Sequence, residues 1–204
     1  MILILLSTIV FAAMGALGIA AARYVCAGQT PLADGPPAGK VSVQLLIVGN
    51  GLLGALAAMR PGLPLVALAI IALTCGVLTA IWVADSEVGM IPDAFTLAPL
   101  GALLLAAVLS GHWYVAIVAL VPAIPFAILA WRSHGVGLGW GDVKLAALGG
   151  PLIGMQGALI FFAVACGIAV IVARVRGLNG RPVAFGPYLA TAIALPLALL
   201  PQTF

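Results

Sequence analysis

From Leu145 to Ala173 the sequence carries no charged residue, and shorter runs of the same kind recur along the whole chain. Such runs constrain the fold more than any other feature. Where water is excluded, every backbone N–H and C=O must pair within the chain, which leaves helices or a closed barrel. Barrel strands alternate apolar and polar residues, and these runs do not alternate. Of the 204 residues, 65% are hydrophobic and 6% charged, against about 25% charged in an average soluble domain. The expectation is an all-α, polytopic helical membrane protein. The net charge of +3 is scattered between the apolar runs, so no nucleic-acid partner is expected; the bilayer is the surrounding partner. Cys26, Cys75 and Cys166 fall in different segments without a CxxC pair, which predicts packing roles rather than a disulfide framework or a zinc site. No metal and no cofactor is expected.

A spanning helix takes about 20 apolar residues. Candidate spans are Met1–Ala22, Val43–Met59, Pro64–Ala84, Ala94–Leu109, Trp113–Trp131 and Pro187–Leu200. Met1–Ala22 lacks a basic leading region and is read as a retained first helix. The run Leu145–Ala173 is too long for one comfortable crossing. If it crosses twice, turning within "GGPLIGMQG" (Gly149–Gly157), then every basic residue except Arg60 lies on the cytoplasmic side, as the positive-inside rule asks. The expected result is about eight membrane segments with both termini outside. The sixth segment, Asp142–Ile153, is then about 18 Å long, too short for the ~30 Å hydrocarbon core. Its charged start must sit in a recess lined by protein or water. The chain is read as one domain over 1–204, with Arg23–Ser42 as a short, Pro- and Gly-rich cytoplasmic loop; Pro99, Pro122 and Pro125 fall inside expected helices and should kink them.

The acidic residues show where chemistry lies. Asp34 is in the first loop; Asp85, Glu87 and Asp93 belong to "DSEVGMIPD", and Asp142 to "GWGD". By the topology above, the last four emerge on one face, on different helices. Carboxylates near hydrocarbon are costly and are functional by default. Asp93 also suits a cap for the fourth helix, and Glu87, just past the third helix, suits a solvated loop residue or a metal or water contact. Asp142 also suits a cap for the sixth segment. Asp85 has the weakest structural excuse, because it ends a helix where the macrodipole disfavours an anion. Two carboxyls held together share a proton, so one serves as general base toward water and the other as general acid toward a leaving amide nitrogen. Asp85 and Asp142 are the expected catalytic pair. Gly139 and Gly141 would let an extended substrate backbone approach Asp142. Lys144 is read as an interfacial anchor, since residues two apart on a helix do not face each other.

These stretches resemble the type IV prepilin peptidases, aspartyl enzymes of the GxGD intramembrane class. "DSEVGMIPDAFTL" (Asp85–Leu97) is similar to the family's first aspartate motif, and "GWGDVKLAALGG" (Gly139–Gly150) to its second. "VAFGPYLA" (Val183–Ala190) is similar to the segment before the last helix, with Ala184 in place of proline. The resemblance implies Asp85 and Asp142 as catalytic residues and Asp93 as the non-catalytic Asp of the Pro-Asp pair. It implies removal of short basic leaders from prepilin or type II secretion pseudopilin precursors at the cytoplasmic face of a bacterial inner membrane. Full-length members carry a cysteine-bearing cytoplasmic domain linked to N-methylation; here that region has shrunk to Arg23–Ser42. A short form without methyltransferase activity is the expectation. Three other readings make different demands. A transporter would place its acids near the midplane of paired halves, a lipid-phosphate transferase would gather Asp85, Glu87 and Asp93 around Mg²⁺, and a non-catalytic assembly subunit would tolerate Asn at either aspartate.

Overall fold

The structure, a computed structural model, describes residues 1–29, 42–134, 138–177 and 183–200. Most of the Arg23–Ser42 loop, including Asp34 and Lys40, lies outside the described residues, as does Arg181. Among the described residues the chain is all helical: α1 (Ile2–Val25), α2 (Val43–Ala58), α3 (Leu65–Val88), α4 (Asp93–Leu109), α5 (Tyr114–Arg132), α6 (Trp140–Val175) and α7 (Gly186–Leu199). Four of them, α1, α3, α5 and α6, are long and apolar enough to cross a membrane, while α2, α4 and α7 are shorter apolar helices. Large side chains such as Leu5, Ile70, Leu73, Val108 and Ile160 stand exposed around the bundle. A surface of that kind suits lipid, and the chain is a helical membrane protein.

Because lipid is as apolar as leucine, helices associate here through close packing rather than hydrophobic expulsion. Small residues make the approach possible. A side chain at Gly18 of α1 would stand 2.2 Å from the Gly76 carbonyl of α3, and one at Gly150 of α6 would stand 2.1 Å from the Val118 carbonyl of α5. The helices are therefore in backbone contact at both crossings. Ser7 of α1 donates to the Gly54 carbonyl of α2 at 2.7 Å. Asn50 of α2 donates to Thr79 of α3 at 2.9 Å. Both polar groups thus stitch helices together. α3 is the hub, with 56% of its most apolar window buried against 22–28% in the other three long helices. Pro99 in α4 and Pro122 and Pro125 in α5 lie inside uninterrupted helices.

The end of α3 differs from expectation by a full turn. The sequence reading stopped the helix at Ala84, where charge begins; the structure continues it through Val88. Termination comes from Gly89, whose φ of 75° forms a left-handed cap and whose N–H bonds back to the Asp85 carbonyl. Asp85 and Glu87 are therefore in the last turn of the helix, not beyond it.

α6 is a hairpin, not a rod. At Gly154 the backbone takes φ 75° and ψ 164°, a combination open almost only to glycine, inside the expected turn. On a straight helix residues 149 and 162 would lie about 20 Å apart. Here the Phe162 ring reaches within 2.8 Å of where a Gly149 side chain would begin. The short arm, 140–153, thus folds back against the long arm, 155–175.

Candidate active site

Two carboxyls are buried at one end of the bundle: Asp85, 7% exposed, and Asp142, 6% exposed. They come from separate helices, and they lie close enough for the charge of Asp85 to act on Asp142. No other acidic side chain among the described residues is buried.

Asp85 ends the central helix and turns its carboxyl toward the start of α7. There the Gly186 N–H donates to Asp85 Oδ2 at 2.8 Å. The local sequence explains the donor. The first N–H groups of a helix have no partner within it, and Pro187, next in line, has no N–H at all. Gly186 must also be glycine, because a Cβ there would stand 2.8 Å from Asp85 Oδ2. Phe185 braces this corner through its ring contacts with Phe126 of α5 at 6.0 Å and with Tyr188 at 6.4 Å. Phe126 in turn meets Phe162 of the α6 long arm edge to face at 5.8 Å. Sequence reasoning left Gly186 out of the site. The stretch "VAFGPYLA" was the available signal: a Gly-Pro pair opening a helix offers one free N–H with no side chain in front of it.

Asp142 lies in the first turn of α6, where its Oδ2 accepts the Gly139 N–H at 2.9 Å. This closes the turn on itself, the carboxylate half of a capping box. Its Oδ1 is buried without a hydrogen-bond partner, which leaves one acceptor of the pair open to another donor.

The remaining sequence-flagged residues take other roles than expected. Asp93 makes no side-chain cap for α4; it pairs with Lys144 at 2.5 Å. Lys144 is therefore not a free interfacial anchor but a tie between α6 and α4. Glu87 accepts from Arg23 of α1 at 2.7 Å and so is not a loop residue in solvent. Gly139 has only ordinary contacts around its missing side chain, the nearest being Asp142 Oδ2 at 3.8 Å. Gly141 differs, because a Cβ there would meet the Ile91 Cβ at 2.9 Å. Its small size serves packing against the α3–α4 turn.

Asp85, Glu87 and Asp93 do not converge, since each turns to a different partner, and no group of three His, Cys, Asp or Glu side chains among the described residues is arranged to hold a metal ion. A cavity of about 300 Å³ lies between α2, α3 and α7, lined by apolar side chains with Asn50, Thr79 and Thr191. Its α3 wall ends at Trp82, one turn before Asp85.

The comparisons with known proteins bear on this geometry. No curated protein and no solved structure matches the chain. A model of the type IV leader peptidase family matches residues 71–174, half the chain, and the matched segment contains both buried aspartates. By that match, this protein, a peptidase, belongs to the type IV leader peptidase family.

Proposed function

We propose that the protein is a membrane-embedded aspartyl endopeptidase in which Asp85 and Asp142 activate water to remove the leader of prepilin or pseudopilin precursors. The observation that carries this reading is the pair itself: two buried carboxyls on different helices, inside the segment matched by the leader peptidase family. A protease needs a base for water and an acid for the leaving nitrogen, and one shared proton between two carboxyls supplies both.

The steps balance without a covalent intermediate. The ionised carboxyl takes a proton from water as the water oxygen bonds to the scissile carbonyl carbon. The protonated carboxyl gives its proton to the carbonyl oxygen, forming a gem-diol. Collapse of the gem-diol breaks the C–N bond, returns a proton to one carboxyl and delivers the other to the leaving nitrogen. The backbone N–H groups of Gly186 and Gly139 hold one oxygen of each carboxyl. The open Asp142 Oδ1 is the acceptor through which water would be held.

Cleavage would take place at the cytoplasmic face of a bacterial inner membrane, with a basic leader outside the bilayer and the apolar helix of the precursor within it. The chain would be a multi-pass short form that hydrolyses without methylating the new N-terminus. Co-expression with a candidate pilin precursor tests this. The native chain shortens the precursor by its leader, and Asp85→Asn and Asp142→Asn do not. Processing by either variant would refute the aspartyl mechanism.

A further inference from the structure

The helix that carries Asp85 runs into a turn that packs against the start of the helix that carries Asp142. Beyond Asp85, α3 ends at Gly89, and the chain turns through Met90, Ile91 and Pro92 into Asp93, the first residue of α4. That turn meets the first turn of α6 at two points. Ile91, 8% exposed, fills the place where a Gly141 side chain would stand, with its Cβ, Cγ1 and Cδ1 at 2.9, 3.3 and 3.4 Å from the built Cβ position. A turn away, Lys144 pairs with Asp93. Gly141 adjoins Asp142 in sequence, so any displacement at this contact is passed to the carboxyl one residue on.

We propose that Ile91 and Gly141, with the Asp93–Lys144 ion pair, are positioning residues that set the separation of Asp85 and Asp142. The second glycine of "GWGD" is then a spacer rather than an opening for substrate. Three observations carry this. The contact is tight at a Cβ, which cannot swing aside as the end of a long side chain can. It joins the first turn of α6, which carries Asp142, to the turn that leaves α3 a few residues after Asp85. The short arm of α6 is packed on the long arm at Gly149 and on α5 at Gly150, and Leu145, Ala146 and Leu148 are buried, so what is left to be seated is its first turn, which carries Gly141 and Asp142. This inference rests on the aspartyl reading above.

The test is a Cβ exchange across the interface, measured on detergent-solubilised protein cleaving a pilin-precursor peptide. Gly141→Ala pushes the arm away and lowers kcat by about 10- to 100-fold, the range expected for reacting groups displaced by an ångström or less, with KM unchanged. Ile91→Gly lowers kcat as well, by removing the seat. The double variant Ile91→Gly/Gly141→Ala moves the Cβ from one side to the other and recovers activity above Gly141→Ala. Reversing the ion pair (Asp93→Lys with Lys144→Asp) likewise restores activity lost in either single reversal. Activity is expressed per folded enzyme, read from the thermal unfolding signal, so that loss of fold is not counted as loss of kcat. An unchanged kcat in Gly141→Ala, or a double variant no better than Gly141→Ala, overturns the spacer. Both results are distinct from failure of the aspartyl reading, which would show as activity in Asp85→Asn or Asp142→Asn.

Discussion

The two carboxyls reach the same site by opposite routes. Asp85 ends the most buried helix of the bundle, and its partner, Gly186, comes from the far end of the sequence. Asp142 begins a short arm, and its partner is Gly139, three positions earlier in its own turn. One group is placed by tertiary packing, the other by a local turn seated on a neighbour. Long-range placement makes Asp85 rigid, because the α5, α6 and α7 rings that brace Phe185 would have to move with its partner Gly186. Local placement leaves Asp142 dependent on where the first turn of α6 comes to rest, ahead of the packed part of the short arm, 145–152. A pair that must close around a peptide bond gains from one fixed member and one adjustable member.

The largest expected effects hold for both members alike. Asp85→Asn and Asp142→Asn should each cost at least about 10²- to 10⁴-fold in cleavage, the usual contribution of a general acid or base. Asparagine keeps an acceptor for Gly186 or Gly139, so the folded protein should persist while activity is lost. A partial loss at one position only would break the symmetry of their roles. The next effect separates them. Gly186→Ala drives a Cβ to 2.8 Å from Asp85 Oδ2, whereas Gly139→Ala leaves its Cβ 3.8 Å from Asp142 Oδ2. Cleavage should fall by about 10²-fold in the first, as expected for a misplaced catalytic group, and by much less in the second. Equal losses, measured as kcat side by side, would mean that the local turn is as sterically closed as the tertiary contact.

A third substitution acts on the adjustable side alone. Gly154→Ala forces a side chain into φ 75° and ψ 164°, at a cost of about 1–3 kcal/mol. Thermal unfolding in detergent should register this loss. If the variant is as stable as the native protein, the bend is not strained and the hairpin is held by its packing.

Much of this was legible in the sequence because it follows from hydropathy and charge placement. The apolar runs foretell the helices, and the bend at Gly154 falls within the glycine-rich stretch where the sequence placed a turn. Asp85 stands out as a carboxylate with little structural excuse, and Asp142 as a second one beside a helix start that it also caps. The end of α3 was misjudged because the first charge was taken as the end of the helix, whereas the left-handed Gly89 is what stops it. Ion-pair partners were illegible for a different reason. Arg23 and Glu87, like Asp93 and Lys144, are far apart in sequence and meet only through the packing of whole helices. Gly141 was read as a gap for substrate because a missing side chain looks the same from sequence whether substrate or Ile91 fills the space.

The smallest expected effect concerns the ion pair on the rigid side. Arg23 and Glu87 tie α1 to the last turn of α3, with side chains 49% and 29% exposed. Exposed pairs contribute about 0.2–1 kcal/mol, and salt screens them further. Glu87→Gln should therefore lower the unfolding temperature slightly at low ionic strength, less at high salt, and leave kcat nearly unchanged. Asp85 does not need this pair, because α3 is already held by backbone contact with α1 at Gly18 and Gly76. The Asp93–Lys144 pair is comparably exposed, with side chains 60% and 32% accessible, yet it seats the arm that carries Asp142, so its loss should register in kcat. Two surface ion pairs of similar strength would then differ in consequence because one reinforces a helix already fixed and the other seats the first turn of α6, which lies ahead of the packed part of its arm. A kcat loss in Glu87→Gln as large as that in Asp93→Asn would remove the distinction between the rigid and the adjustable carboxyl.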